Sequence, residues 1–155
     1  MTTIAWDGTT LAGDKRATAG TVHHTITKVR RGETGNLVGY AGNCALGEQV
    51  FAWLCEGGER PDGQFDKNDF CQVIEITPEG HCLKHERYGS FRIEDPFFAV
   101  GSGADFALMA MACGKTAVEA VQLTGRFDTN TGNGIDVLTL EPVKRSRRRK
   151  ARWEP

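Results

Sequence analysis

The sequence predicts an α+β domain with mostly antiparallel sheets. Short runs of apolar and β-branched residues are separated by turn signals at hairpin spacing. Segments of helical periodicity come in blocks, not in strict alternation with the strands. The 155 residues, of which 39% are hydrophobic, suffice for one domain with a buried core. Helices packed outside two stacked sheets would suit this order of elements.

The first predicted hairpin joins residues 3–6 to residues 10–13. Asp7-Gly8 lies between these two short apolar runs, which is a strong signal for a tight turn. Thr2 therefore lies at the start of a predicted strand.

The second predicted hairpin joins residues 22–31 to residues 37–41, with a turn at 32–35. Its longer strand alternates, and Lys28 shares one face with Ile26. A buried ammonium is costly without a carboxylate partner, and Asp14 is the natural candidate.

The remaining elements are assigned from caps, turns and apolar periodicity. Asn43 can cap a helix that ends at Gly57-Gly58, a surface loop follows at 59–63, and Thr116 can start a further helix. Residues 105–113 are apolar nearly all round, which predicts a helix packed between a sheet and a neighbour. The other predicted strands are residues 70–77, 81–87, 90–93, 97–100 and 135–140.

Thr2 is a candidate nucleophile, because removal of Met1 would leave one residue with both a hydroxyl and a free amine. A hydroxyl attacks poorly near neutral pH unless a base takes its proton. An α-amine, with a pKa of about 7.7–8.0, suits that task. An N-terminal threonine is an established nucleophile with its own base. The alternative is an ordinary N-terminal strand, so the surroundings of Thr2 decide between the two.

Four landmarks follow Thr2 along the chain. They are Asp14-x-Arg16-Ala17-Thr18-Ala19-Gly20, Ile26-Thr27-Lys28-Val29, Gly39-Tyr40-Ala41-Gly42 and Gly101-Ser102-Gly103. In this order they resemble the proteasome β-subunit and its bacterial relative, the HslV peptidase, which are N-terminal nucleophile hydrolases. The resemblance runs from Thr2 to about Leu140. It implies a four-layer αββα sandwich with two mostly antiparallel sheets.

The resemblance implies a catalytic role for four of these residues. Thr2 would attack, its amine would relay the proton, and Lys28 would lower the local pKa by its charge while Asp14 holds it in place. The backbone N–H of Gly42 would stabilise the oxyanion. The alternatives are an ordinary ion pair between hairpins and a glycine that ends a strand.

Three further residues and a pocket are implied in the same way. Ser102 would order the proton network beside the nucleophile, and Asp128 and Thr131 would support the threonine amine. Ordinary loop and turn chemistry is the alternative for both segments. The first specificity pocket would favour an apolar residue before the cleaved bond and would be lined by Ala17, Ile26, Tyr40 and Cys44.

Charge is divided between an acidic body and a basic tail. Residues 144–152 hold seven of the 19 basic residues, which leaves 12 basic and 19 acidic residues in 1–143. We therefore divide the chain into a proteasome-like domain at 1–141 and a basic C-terminal tail at 142–155. The tail is predicted to be solvated; the alternatives are docking on an acidic partner and contact with nucleic acid.

Cysteine and histidine patterns predict neither a disulfide framework nor a metal site. The five cysteines are an odd number without a Cys-x-x-Cys pair, so we expect reduced, mostly buried thiols. His81 and His85 lie four apart on one predicted strand, about 13 Å from each other, which is too far to share one ion. No cofactor is expected. Without an 18-residue apolar run or a signal pattern, the chain is expected to be cytoplasmic and not in a membrane.

Two features depart from the pattern of the relatives. The first is a missing helix: the relatives have a second long helix, which helps to stack and join their rings, where this sequence has only about a dozen polar residues before Phe70. Short forms of this kind are similar to proteins encoded by phages and prophages. The second feature is Met1, because Thr2 has no free amine while Met1 is retained.

The leading interpretation is a threonine-type endopeptidase that cleaves peptides or unfolded proteins within a homo-oligomeric ring. An alternative from another class is a catalytically inactive structural or assembly protein, associated with a phage particle, that keeps the fold and uses the basic tail for docking. A third is a related hydrolase that acts on a small amide.

Overall fold

The computed structural model describes residues 2–61 and 71–142. Three features of the sequence lie outside these residues. They are Met1, the basic tail beyond Pro142, and most of the polar segment that replaces the second helix of the relatives.

Within the described residues, the chain forms eleven strands and three helices. The strands are β1 Thr3–Trp6, β2 Thr10–Asp14, β3 Arg16–Ala19, β4 Val22–Thr25, β5 Val29–Arg31, β6 Leu37–Gly42, β7 Cys71–Ile76, β8 Cys82–Glu86, β9 Gly89–Ile93, β10 Phe98–Gly101 and β11 Ile135–Thr139. The helices are α1 Cys44–Glu56, α2 Ala104–Ala112 and α3 Ala117–Thr124.

Two antiparallel sheets form the centre of the domain. The first has the strand order β10-β1-β2-β11 and the second β5-β6-β7-β8-β9. A core cluster that includes Ile4, Leu37 and Ile74 draws on both sheets. Phe51 of α1 packs on the second sheet, and Val121 of α3, with residues of α2, packs on the first. The order of layers is therefore helix, sheet, sheet, helices, which confirms the predicted α+β class and the αββα sandwich.

Strand β6 shows how side-chain alternation builds these layers. Leu37 and Ala41 join the core cluster of the two sheets, whereas Val38 and Tyr40 join the cluster under α1. Gly39 lies on the inner face, where a Cβ would approach Ile4 Cγ2 to 2.7 Å. The glycine therefore lets the two sheets come close together at the middle of β6.

The predicted helix caps are present. The Asn43 side chain accepts a hydrogen bond from the Leu46 N–H at 2.9 Å, and Gly57 ends α1 in the left-handed region at φ 73°. Thr116 caps α3 in the same way, accepting from the Glu119 N–H at 3.2 Å. Apart from the segment at residues 22–31, the predicted limits of the other helices and strands hold to within one or two residues.

The prediction of one long strand at residues 22–31 is wrong. The segment forms two strands, β4 and β5, and β4 pairs with the unpredicted strand β3 in a separate ribbon. All four residues of β4 are exposed, so they have no core against which to continue the main sheet. Lys28 is buried as expected, but it lies in the connection between β4 and β5.

Three smaller observations concern the expected absences. His81 lies in the turn before β8, and the ring of His85 is hydrogen-bonded to Glu75 at 2.7 Å. All five cysteines are free thiols; Cys55, Cys71 and Cys82 are buried, and the other two are exposed. None of the helices in the described part of the chain is long and apolar enough to cross a membrane.

Candidate active site

Thr2 precedes β1 and is 1% exposed. Its hydroxyl donates to a carboxylate oxygen of Asp14 and accepts from the ammonium of Lys28. β2 brings Asp14 here because it pairs with β1 in an antiparallel hairpin whose turn is at Asp7-Gly8. The hydroxyl of the predicted nucleophile therefore lies between one cation and one anion.

Lys28 and Asp14 form a buried ion pair, as the sequence predicted. Lys28 Nζ lies 3.0 Å from Asp14 Oδ1, and the side chains are 3% and 0% exposed. The ammonium also donates to the Arg16 carbonyl, so its three protons have three acceptors. Burial lowers the pKa of Lys28 below its ordinary value of 10.5, and the neighbouring Asp14 carboxylate offsets only part of this effect.

The Asp14 carboxylate is fixed by backbone donors as well as by Lys28. Oδ1 accepts from the Thr3 N–H at 3.0 Å. Oδ2 accepts from the Arg16 N–H at 3.1 Å and from the Gly132 N–H at 3.0 Å. A buried carboxylate with this many donors is satisfied and rigid. We call Asp14 and Lys28 the first arm of the site.

Ser102, Asp128 and Thr131 form a second arm. Ser102 Oγ donates to Asp128 Oδ2 at 2.7 Å and lies 3.5 Å from the Thr2 carbonyl oxygen. Thr131 Oγ1 donates to the same Asp128 oxygen at 2.7 Å. The structure thus brings together the three residues that the sequence predicted here, on the backbone side of Thr2.

Asp128 is held in its ionised form. Burial raises the pKa of Asp128, but hydrogen bonds from Thr131, Ser102 and the Asn130 N–H together lower it by more. The pKa of Asp128 therefore lies below the ordinary 3.8. The second arm therefore places a negative charge close to the start of the chain.

Thr3 is a site residue that the sequence reasoning missed. Its hydroxyl is buried and lies 2.7 Å from Thr131 Oγ1. Because Thr131 gives its single proton to Asp128, Thr3 is the donor in this contact. A hydrogen-bonded chain thus connects Thr3 to Asp128. A second threonine directly after the candidate nucleophile was the available signal.

The two glycines of Gly101-Ser102-Gly103 are needed for close approach. A Cβ on Gly101, whose φ is 103°, would overlap the Thr2 carbonyl group. A Cβ on Gly103 would overlap the Thr3 hydroxyl. These small residues let the end of β10 pack against Thr2 and Thr3, which brings Ser102 into the site.

Gln72 also contributes without having been predicted. Its side-chain oxygen accepts from the Gly101 N–H at 2.8 Å and so ties β7 to the end of β10. Gln72 shares its side of β7 with Ile74 and Ile76, which face the core between the sheets. A polar residue at an inward position was the signal that could have identified it.

Gly42 and Cys44 lie at the junction of β6 and α1. Gly42 is the last residue of β6 and has φ 130°, and the Asn43 cap follows directly. Cys44 is exposed at the first turn of α1, with Sγ 4.0 Å from the Gly42 carbonyl oxygen. The oxyanion role of Gly42 and the pocket role of Cys44 stay predictions.

The other predicted pocket residues differ in exposure. Ala17 on β3 and Ile26 after β4 are half-buried. Tyr40 is 1% exposed and packs edge-to-face on Phe51 under α1, with ring centroids 5.2 Å apart. Burial raises the pKa of Tyr40, and Cys44 adds to the effect. Tyr40 therefore lies in the core under α1. Of the four predicted pocket residues, Ala17, Ile26 and Cys44 have exposed surface for a substrate.

Among the residues that the structure describes, no three His, Cys, Asp or Glu side chains are grouped to hold a metal ion. The site consists of hydroxyls, carboxylates, one ammonium and backbone N–H groups. Such a set can activate a hydroxyl and stabilise charge near it.

The fold is shared with solved structures. HslV from Trypanosoma brucei matches with a TM-score of 0.68 at 21% identity, over 90% of this chain and 99% of that chain. BPH from Thiobacillus denitrificans in complex with epoxomicin matches with a TM-score of 0.67 at 16% identity, over 91% and 99%. A second structure of that BPH gives 0.61 at 17% identity, over 91% and 98%. No protein-family model and no curated protein sequence matches the chain.

The described part of the chain therefore has the αββα fold seen in HslV and BPH. The sequence resemblance to the proteasome β-subunit and HslV predicted this fold, and the structural comparison confirms it at the level of the fold.

Proposed function

We propose that this chain is a threonine-type endopeptidase that uses Thr2 as its nucleophile once Met1 has been removed. One observation carries the proposal: the Thr2 hydroxyl contacts both members of the buried Lys28–Asp14 pair. A positive charge at this oxygen favours the alkoxide character that develops during attack.

The first step forms an ester between Thr2 and the substrate. Thr2 Oγ1 attacks the carbonyl carbon of the scissile amide while its proton passes to the free α-amine of Thr2. The protonated amine then gives this proton to the leaving nitrogen as the C–N bond breaks. Lys28 keeps its proton and stabilises the oxygen, and Asp14 holds Lys28 in place.

The second step returns the enzyme to its starting state. Water attacks the ester carbonyl, the α-amine takes the water proton, and Thr2 Oγ1 leaves and is reprotonated. In both steps the Gly42 N–H would donate to the oxyanion. Ser102, Asp128 and Thr131 would orient the α-amine, since the ionised Asp128 lies on the backbone side of Thr2.

The substrates are proposed to be peptides or unfolded proteins, cleaved after an apolar residue. Ala17, Ile26 and Cys44, with Tyr40 beneath them, offer no charged side chain to the residue before the scissile bond. A peptide library should therefore show preferred cleavage after apolar residues. Preferred cleavage after acidic or basic residues would refute this pocket.

The chain is further proposed to assemble with copies of itself. Three large apolar side chains are exposed on or near the outer helices α2 and α3, at 48%, 67% and 70%: Phe106, Met109 and Phe127. The mass in solution by light scattering tests this. A mass of one chain at assay concentrations would count against a homo-oligomer.

Peptide hydrolysis by three variants tests the proposed function. The preparation is first shown by N-terminal sequencing to start at Thr2. Thr2→Ala should abolish turnover, Thr2→Ser should retain part of it, and the control Thr139→Ala on the exposed edge of β11 should match the parent. Parallel assays on small amides would identify a small-amide hydrolase instead. No turnover of either substrate by a correctly processed parent would reject the enzyme and favour a structural protein.

A further inference from the structure

Arg16 links the two arms of the site. Its backbone N–H donates to Asp14 Oδ2 at 3.1 Å, and its carbonyl accepts from Lys28. Its side chain reaches the loop that carries the second arm: Nε donates to Asn133 Oδ1 at 3.0 Å and a terminal nitrogen donates to the Thr129 carbonyl at 2.8 Å. One residue thus holds the first arm by its backbone and the loop of the second arm by its guanidinium.

Gly132 gives the guanidinium room to reach the loop. A Cβ at Gly132 would lie 2.6 Å from Arg16 Nη2 and 2.7 Å from Cζ. The planar group therefore lies directly against the backbone that follows Thr131. Its two hydrogen bonds are to residues on either side of Thr131 in sequence.

Asn133 is the residue that receives Arg16. It has φ 63°, and it is the one non-glycine residue with positive φ in the described part of the chain. Its amide nitrogen lies 3.2 Å from both the His24 carbonyl and Thr25 Oγ1 on β4. An unfavourable backbone conformation persists where surrounding contacts fix it, and such residues cluster at functional sites.

The remaining connection between the loop and the first arm is made by two backbone contacts. The Gly132 N–H donates to Asp14 Oδ2, and the Lys15 N–H donates to the Gly132 carbonyl, both at 3.0 Å. These contacts fix Gly132, and Thr131 is bonded to Thr3 and Asp128. The flanking residues Thr129 and Asn133 are bonded to the Arg16 guanidinium. A displacement of about 1 Å in a supporting group can cost about 10²-fold in rate.

We propose that Arg16 and Asn133 are positioning residues that form a clasp, which keeps Asp128 and Thr131 in register with Thr2 and Lys28. The inference rests on the proposed peptidase function. Neither side chain contacts the reacting atoms, so the clasp acts on the rate through the geometry of the second arm.

The kinetic test compares substitutions within the clasp with a matched control. Asn133→Gly keeps the left-handed backbone but removes every side-chain contact of Asn133, to Arg16 and to β4, and it should lower kcat about 10- to 100-fold while KM changes little. Asn133→Asp keeps an acceptor for Arg16 and should retain most of kcat. Asp136→Asn is the control, because it breaks the partly exposed Lys15–Asp136 pair next to Arg16 without touching the loop at 129–133. Its kcat should equal that of the parent.

Amide hydrogen exchange gives a readout that does not depend on activity. The Gly132 N–H should exchange faster in Asn133→Gly and in Arg16→Lys than in the parent and Asp136→Asn, because its hold on Asp14 loosens. If the parent is active and Asn133→Gly keeps both the parental kcat and the parental Gly132 protection, the clasp is refuted. If the parent has no turnover but protection falls as described, the clasp stands and the proposed function fails. Unchanged protection in an inactive parent refutes both.

Discussion

Lys28 Nζ lies 3.0 Å from Asp14 Oδ1, and both side chains are almost fully buried. Burying two charges costs more free energy than a typical surface pair returns, so such a pair is weak evidence for a purely stabilising role. Its position is more informative than its energy, since both partners also contact the Thr2 hydroxyl. Substitutions at the pair should therefore affect stability and activity in ways that can be separated.

The first prediction concerns this ion pair. Lys28→Ala should lower the free energy of unfolding by about 3–5 kcal/mol, because it leaves the Asp14 carboxylate buried without its cation. The double variant Lys28→Met with Asp14→Asn should regain part of this loss, although both should be inactive. Urea unfolding followed by circular dichroism measures the difference. Equal losses in the single and double variants would show that the charge of Asp14 is not the cause.

The second prediction concerns the pH dependence of peptide hydrolysis. Activity should rise with pH as the α-amine of Thr2 becomes neutral, which for an ordinary amine is centred at about 7.7–8.0. It should fall again as Lys28 loses its proton, and because burial lowers the pKa of Lys28, this limb should lie below pH 10.5. The profile of kcat/KM measures both limbs, with circular dichroism as the check on folding. A rate that stays level through pH 10.5 would exclude charged Lys28 from the mechanism.

The third prediction concerns the second arm. Asp128→Asn should reduce kcat more than Ser102→Ala, because Asp128 Oδ2 accepts from both Ser102 and Thr131, whereas removing Ser102 leaves one of these bonds intact. A loss of tenfold or more is expected for Asp128→Asn, in the range typical of groups that assist proton transfer. Ser90→Ala, at an exposed position on β9, is the control. Parental kcat in both arm variants would limit these residues to a structural role.

The fourth prediction concerns stability in acid. Burial raises the pKa of Glu75, but hydrogen bonds from His85 and Asn36 together lower it by more. The folded-state pKa of Glu75 therefore lies below 4.5. The stabilisation is therefore complete above pH 4.5 and is lost as pH falls through the folded-state pKa. Glu75→Gln should lower Tm relative to the parent at pH 6, and the gap should narrow towards pH 3. The exposed Glu79→Gln is the control; a gap that stays constant with pH would contradict the assignment.

Most helices and strands followed from local signals in the sequence, whereas the four-layer arrangement was implied by the family resemblance. Asp7-Gly8, Asn43 and Gly57 each mark a boundary by a mechanism that acts over a few residues, and each boundary lies where it was expected. The ribbon of β3 and β4 was missed because its strands are exposed on most of their surface and carry no inward apolar pattern. Because the polar alternation continues from β4 into β5, the sequence does not mark the residue at which one strand ends and the other begins.

Six of the candidate site residues were named from the family resemblance, and two of them, Asp14 and Lys28, also from the cost of burying an unpaired charge. Thr2, Asp14, Lys28, Ser102, Asp128 and Thr131 lie in one hydrogen-bonded region. Asn133 could not be identified in this way, because its backbone angle and its contacts with Arg16 and β4 arise only in the folded chain. Tyr40 was placed at the pocket by resemblance, but its burial depends on packing against α1.

The most direct test is to find which atom of the processed chain reacts with a peptide epoxyketone, a reagent that can bond to a hydroxyl and an amine on the same residue. Intact mass and peptide mapping should show one adduct per chain, on an N-terminal Thr2, in material that cleaves peptides. Thr2→Ala should give no adduct. Peptide cleavage by material that keeps Met1, or an adduct on any other residue, would contradict the assignment of Thr2 as the nucleophile.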